Sequence, residues 1–555
     1  MTYATKWLLI EIILMTYLWH LSRVICNSGP RLRMQIENFS KLQKITKRSQ
    51  QDFLRLGIVL VFFLGILAYS TVGVGVSTPE HMMLVVAAII GGYMAMNIGA
   101  NDVANNVGPA VGSKSLTMAG AIVIAAIFEM MGALIAGGDV ISTIRGGIVD
   151  MQTIPSTNQF IWVMISSLLA GALWLNFATA ICAPVSTTHS VVGAVLGAGV
   201  TAGGLSAANW STIGSIAASW VISPILGGLV AAGFLFWIKR AITYKPDMVL
   251  AAKQTVPILL GLMSFAFSTY LLLKGLNKVW PVSNSTAALL GAAVGLCTWL
   301  VLRIVMRDRT SGMPNTKVKI NSLFTLPLIF AAALLSFAHG ANDVANAIGP
   351  LAAVVDTVLN SSVSDTAGIP IWVMLIGSLG IAIGLALYGP KLIRTVGGEI
   401  TDLDQMRAFC IAMAASLTVI VASQLGLPVS STHIAIGGVF GVGFLRERLK
   451  TNFAHMLEEI RLHHRGADRD ELEAYLAVFT AADIKTKKEM LTKLKAQSAE
   501  ITMTKTEYKK MRQLYRVELV KRTIVYKIIG AWVITLPASA LMSSLIYLAM
   551  SRMLS

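Results

Sequence analysis

The chain has 555 residues, of which 55% are hydrophobic and only 13% charged, with a mean hydropathy of +0.69. No soluble domain of this size needs that much apolar surface, so composition argues for a membrane setting and against a water-soluble globular protein. The net charge of +17 does not point to nucleic acid, because the basic residues sit in a few stretches between apolar runs, where the positive-inside rule reads them as cytoplasmic ends of a membrane bundle.

The first apolar run, Trp7 to Cys26, contains Glu11 and His20 and lacks a small-residue cleavage site, which favours a retained helix over a signal peptide. Runs of bilayer-crossing length follow near 54–78, 82–100, 115–136, 158–182, 211–237, 254–275, 284–306, 324–340, 368–389, 407–425 and 523–550, with shorter apolar pieces near 189–204 and 433–445. Spans that stop at Gly/Pro/Ser/Thr clusters have the form of broken helices or re-entrant hairpins. The basic linkers at 31–48, 239–253 and 303–319 are expected on the cytoplasmic side. A polar insertion, 446–522, mixes Glu, Lys and Arg with Leu and Met at helical spacing and reads as amphipathic helices on that same side. His463 and His464 with Asp468 and Asp470 read as charged surface within it. Cys26, Cys182, Cys297 and Cys410 form no CxxC pair, which argues against a disulfide framework or a zinc site.

Two motifs recur. Gly99-Ala100-Asn101-Asp102-Val103-Ala104-Asn105-Asn106-Val107-Gly108-Pro109 returns as Gly340-Ala341-Asn342-Asp343-Val344-Ala345-Asn346-Ala347-Ile348-Gly349-Pro350. Ala183-Pro184-Val185-Ser186-Thr187-Thr188-His189 is answered by Leu427-Pro428-Val429-Ser430-Ser431-Thr432-His433. A weaker echo between them pairs 143–150 with 395–402, and three landmarks in one order argue for a duplicated unit. The chain then divides into an N-terminal extension (1–53), a first repeat (54–240), connecting helices (241–323), a second repeat (324–445), the insertion (446–522) and a C-terminal membrane helix (523–555).

An aspartate between asparagines is costly in hydrocarbon, so placing one there twice signals binding of something polar, as in a transporter with a midplane site between two halves. Asn101 and Asn105 are spaced i, i+4, as are Asp102 and Asn106, so a helix would turn two polar stripes toward one cavity. In the second motif, proline marks a helix start, and the hydroxyls and free N–H groups behind it suit an oxyanion. Asp102 and Asp343 would repel a divalent anion unless cations stand between them or the carboxylates take up protons, which couples anion to cation. Phosphate keeps a proton that it can donate to a carboxylate and sulfate does not, a modest preference for phosphate. Glu129, alone in an apolar run, is a further candidate. His189 and His433 are either proton carriers or neutral groups orienting the hydroxyls. Lys114 and Arg145 read as loop or interface charges, Arg145 alternatively as an attraction for anion.

These motifs resemble the hallmark of the inorganic phosphate transporter (PiT) family over about 82–200 and 324–445, with the resemblance extending to the last span at Ala531–Ala538. The resemblance implies an all-α integral membrane protein of two inverted-topology repeats, about 11–13 membrane segments with broken helices or hairpins. It implies symport of phosphate with sodium or protons, no other cofactor, and a homodimer in the lipid of the inner membrane. Sulfate or another tetrahedral oxyanion is the alternative cargo. By resemblance, Asp102, Asp343, Asn101 and Asn342 form the ion and substrate centre. Ser186, Thr187, Thr188, Ser430, Ser431 and Thr432 hold phosphate oxygens. Asp102, Asp343, Asn105, Asn346 and Glu129 serve the coupling ion, with sodium expected at Asp102, Asn105, Asp343 and Asn346. The chain departs from the pattern in three ways. No carboxylate in Leu375–Gly380 answers Glu129, Ala347 answers Asn106, and the insertion lies late. Two other classes are weighed: a membrane hydrolase, which needs a nucleophile and base within reach, and a sensor with the insertion as its output.

Overall fold

The computed structural model describes residues 52–72, 79–181, 185–275, 280–360, 368–399, 403–450, 475, 477, 478, 490 and 522–554. The run at Trp7–Cys26, the 31–48 linker, Cys182, Pro184 and nearly all of the 446–522 insertion lie outside them. The chain divides into two units, Met1–Gly65 and Ile66–Ser555. Of the first, the described part is the opening of an apolar helix, α1 (Asp52–Val72), where Arg55 and Asp52 pair at 3.1 Å on an exposed face.

Among its described residues the regular structure of the second unit is helical, apart from one isolated bridge between Val149 and Ala208. Its first half holds α2 (Pro79–Asn101), α3 (Val103–Gly112), α4 (Met118–Ala136), α5 (Gly138–Gly146), α6 (Thr157–Ala180), α7 (Thr187–Gly203) and α8 (Trp210–Ile238). Two connecting helices follow, α9 (Met248–Lys274) and α10 (Asn284–Arg309), with the short α11 (Lys317–Ser322). The second half holds α12 (Thr325–Asn360), α13 (Ile371–Glu399), α14 (Gln405–Gln424), α15 (Ser431–Lys450) and α16 (Arg522–Leu554). Among the described residues eleven helical segments are long and apolar enough to cross a bilayer. Helix is the form such sequences must take, because hydrocarbon offers no partner for an open backbone group. Where helices begin, side chains take the first amides: Thr117 accepts from Gly120 N, Ser156 from Gln159 N, Asn209 from Thr212 N and Asp404 from Arg407 N.

The apolar runs expected to stop at 100 and 340 continue as helix. α12 passes unbroken through the Asn-Asp motif, and α2 and α3 are separated only at Asp102. Hydropathy ends at a polar side chain, but the backbone ladder does not, provided the side chain finds partners on neighbouring helices. The break falls instead at the second motif, where the turn 425–430, with Gly426 at φ +66°, separates α14 from α15.

The halves exchange helices. α12 packs on α4 while α2 packs on α13; α15 packs on α8 while α7 packs on α16. Close approach at glycine sets the register. A Cβ built on Gly340 would lie 2.2 Å from the Glu129 carbonyl oxygen, and one on Gly99 would lie 1.9 Å from that of Ile381. One turn away, Gly132 meets the Phe337 carbonyl as Gly384 meets that of Met96. Glu129 and Ile381 therefore occupy equivalent places, as do His339 and Ile98.

Candidate functional site

Asp102 and Asp343 are each 1% exposed, and both are held by the second motif. Asp102 Oδ2 accepts from Thr187 Oγ1 and its Oδ1 from Thr432 Oγ1 at 3.1 Å; Asp343 Oδ2 accepts from Ser431 Oγ at 3.2 Å. The asparagines three residues on cross between the halves: Asn105 Nδ2 donates to Thr432 Oγ1 at 2.8 Å, and Asn346 Nδ2 to Thr188 Oγ1 at 3.3 Å. One ligand atom from each of Asp102, Asp343 and His339 lies within 4.8 Å of the others. The structure thus brings both Asn-Asp motifs and both hydroxyl turns to one buried place.

The two stripes expected to share a cavity instead fan out to different neighbours. Residues i and i+3 share a helix face, so Asp102 and Asn105 look toward the hydroxyl turns. Asn101 Nδ2 donates to Thr179 Oγ1 on α6 at 3.0 Å, and Asn106 Nδ2 to Glu129 Oε1 on α4 at 2.8 Å. Asn342 ties down the turn before α15, donating to Ser423 Oγ at 2.9 Å and Leu427 O at 3.1 Å while accepting from Val429 N. Ser186 and Ser430 are buried where α7 and α15 start, and accept from the N–H groups of His189 and His433 at 3.2 and 3.3 Å.

The centre is unequal on its two sides. His339, which sequence reading passed over, is fully buried between two carboxylates, with Nδ1 2.7 Å from Glu129 Oε2 and Nε2 2.8 Å from Asp343 Oδ2. The signal was available: His339 precedes Asp343 by one helical turn within an apolar run, where a titratable group is rarely placed idly. At the equivalent positions on the other side of the centre stand Ile98 for His339, Ile381 for Glu129 and Ala347 for Asn106, all buried. The Glu129 counterpart is thus one residue beyond the Leu375–Gly380 segment, and it is apolar.

Behind the hydroxyl turns, His189 and His433 meet edge to face at 4.5 Å between ring centroids. Each is backed by a tryptophan, Trp220 at 3.8 Å and Trp532 at 3.6 Å. Of the loop and interface readings, Arg145 takes the second: it is 2% exposed and ion-paired with Asp356 of α12. Lys114 is exposed and turns the chain after α3 with a φ of +61°.

Chemically the centre is rich in unmet acceptors. Among the described residues, Asn105 Oδ1, Asn106 Oδ1, Asn346 Oδ1 and Asp343 Oδ1 are buried without a hydrogen-bond donor. Buried acceptors of this kind need a partner, and oxygens in number suit a hard cation. Three carboxyls and one imidazole share the site, so an anion is tolerated there only with compensating positive charge.

The model of the phosphate transporter family matches residues 98–543. A protein of Helicobacter pylori (strain J99), named for an inferred phosphate permease activity, is 50% identical over 527 residues, covering 93% of this chain and 99% of the relative. A Pyrococcus furiosus protein named in the same way is 37% identical over 366 residues, covering 66% of this chain and 88% of its own. A solved structure described as the sodium-dependent phosphate transporter matches with a TM-score of 0.69 and 30% identity, covering 85% of this chain and all of that one.

Proposed function

Because the chain belongs to the phosphate transporter family, we propose that it carries inorganic phosphate into the cell by symport with sodium, from the buried centre at Asp102 and Asp343. The observation that carries the reading is the set of buried oxygens lacking donors around two carboxylates. Sodium bound to Asn105, Asn346 and the aspartates supplies the positive charge without which a divalent anion is repelled. With sodium on the aspartate oxygens, Thr187, Ser431 and Thr432 turn to the phosphate oxygens the hydroxyl protons they give the carboxylates, and Thr188 the one it gives the Val429 carbonyl, aided by the N-terminal ends of α7 and α15. Linkage follows, since each ligand raises the affinity for the other by the same factor.

Inverted repeats are supported by the run of α2 against α12. Gly91, eleven residues before Asp102, lies against Leu351, eight residues after Asp343, so equivalent helices are antiparallel where they meet. Such halves rock about a fixed site in alternating access. A second reading, proton coupling, is favoured by His339, which joins Glu129 to Asp343 and offers a path for a proton.

Labelled phosphate uptake into proteoliposomes tests both. Uptake driven by an imposed sodium gradient, blocked by arsenate and indifferent to sulfate, is expected. Uptake driven by a pH gradient alone selects the proton reading, and competition by sulfate overturns the choice of cargo. Cross-linking in intact membranes tests the homodimer.

A further inference from the structure

Away from the centre, α8 and α15 enclose a groove of about 550 Å³. Its floor is backbone. A Cβ on Gly437 would lie 2.1 Å from the Pro224 carbonyl oxygen, and one on Gly441 2.0 Å from that of Gly228, so the two helices touch without side chains between them. Its walls are large and apolar, with Ile225, Leu229 and Phe444 among the exposed hydrophobics. α8 is a candidate membrane span, so these walls face hydrocarbon. Whatever lies in the groove is apolar along its length.

One end is different. The pairing of 224 with 437 and 228 with 441 makes the helices parallel, so both finish at the same end of the bundle. There Arg448 lines the groove, α8 runs into Lys239 and Arg240, and Lys239 lies within electrostatic reach of Arg407, Arg446 and Lys317. Among the described residues the carboxylates at this end are Asp247, Asp308, Asp404 and Glu447, fewer than the cations. By the positive-inside rule it is the cytoplasmic end. In the equivalent helix α7, the positions of Phe440, Phe444 and Arg448 are held by Leu196, Val200 and Gly204, so the two phenylalanines and this arginine belong to one half alone.

We propose that this groove binds an anionic phospholipid of the cytoplasmic leaflet, its acyl chain lying over Gly228 and Gly441 and its phosphate held by Arg448. Apolar length and basic end together select an amphiphile with an anionic head; free phosphate lacks the chain and a neutral lipid lacks the net charge. The site also touches the transport machinery. Trp532 forms part of the groove wall and stacks on His433, the residue after Thr432, so the lipid bears on the turn that holds both aspartates.

Native mass spectrometry of the full-length protein in micelles, titrated with phosphatidylglycerol or phosphatidylcholine, tests the proposal without reference to transport, so its failure is separate from any failure of the sodium-phosphate reading. Wild type is expected to retain phosphatidylglycerol over phosphatidylcholine. Arg448→Gln is expected to weaken the anionic lipid about fivefold and leave the neutral one unchanged, the worth of one basic side chain at such a surface. Ala232→Phe, which fills the groove, is expected to weaken both; should it misfold, Leu229→Ser on the exposed wall tests the same acyl contact. Equal retention of the two lipids by wild type, an equal loss in the distant control Arg309→Gln, or groove variants that turn a dimer into monomer without changing lipid retention would each overturn the proposal.

Discussion

The symmetry-related side of the centre displays the apolar side chains that the packing accepts where Asn106, Glu129 and His339 stand: Ala347, Ile381 and Ile98. This sets up a test of what the polar trio is for. His339→Ile alone removes the group that contacts Glu129 Oε2 and Asp343 Oδ2, leaving buried carboxylates without it. Breaking one side of a buried pair costs about 3–5 kcal/mol, somewhat less where the carboxyl takes up a proton. The triple variant Asn106→Ala, Glu129→Ile, His339→Ile removes Glu129's charge as well and copies the opposite side. Replacing a buried ionic cluster by apolar groups of similar volume is commonly neutral or stabilising. Unfolding of micellar protein, followed by tryptophan fluorescence, is therefore expected to show His339→Ile well below wild type and the triple variant at or above wild type. Coupled phosphate uptake is expected to be lost in both. A triple variant as unstable as the single one would show that the two sides are not equivalent in packing, and retained coupled uptake in either variant would show that the trio is not part of the transport machinery.

Asp102→Asn and Asp343→Asn each keep the side-chain shape and lose the charge. The difference between a charge-assisted and a neutral contact, about 1–1.5 kcal/mol, predicts a roughly tenfold or larger loss of sodium affinity, read from the sodium dependence of uptake; normal dependence in both would refute the coupling role. Thr432→Val removes a hydroxyl bonded to Asp102 and Asn105, whereas Thr188→Val removes one bonded to Asn346 and the Val429 carbonyl. The carboxylate bond exceeds the carbonyl bond by about 1–1.5 kcal/mol, so KM for phosphate is expected to rise about five- to tenfold more in Thr432→Val, and equal effects would refute the geometry. Gly340→Ala places a methyl 2.2 Å from the Glu129 carbonyl oxygen; overpacking of this kind costs about 1–3 kcal/mol, and an unchanged unfolding midpoint would refute the helix contact.

Much of this architecture was legible before any coordinates. Repeated Asn-Asp and Pro-Val-Ser motifs locate the centre because a polar group in an apolar run is rare, and rarity is visible in one dimension. Directions within the motif were not visible. Whether Asn101 or Asn105 faces Asp102's partners depends on which helices pack against which face, and α6 and α4 take Asn101 and Asn106 away from the aspartates. His339 escaped notice because attention fell on residues that repeat, whereas it breaks the repeat, with Ile98 at the same step of the other copy. Exchange of helices between halves was equally invisible: that α16 packs on α7 follows from shape, not from spacing.

Arg145 shows the same limit and yields a further test. Sequence reading left open an attraction for incoming anion, but a guanidinium sealed from water and paired with Asp356 has its charge compensated at contact distance. Asp356 lies thirteen residues beyond Asp343 on one continuous helix, so at 1.5 Å per residue the pair stands about 20 Å from the centre. It joins α5 of the first half to the far end of α12 of the second, a place where loss of one partner strands a buried charge. In a double-mutant cycle of Arg145→Met and Asp356→Leu, each single change strands a buried charge at about 3–5 kcal/mol while the double change strands none, so the coupling energy is expected to exceed about 3 kcal/mol. An exposed pair gives only about 0.2–1 kcal/mol. Sodium affinity and the KM for phosphate are expected to stay unchanged in whatever fraction of Asp356→Leu protein folds, since separation of this size leaves effects independent. A coupling below about 1 kcal/mol would place the pair in water, and a shifted KM would restore Arg145 to the path of the anion.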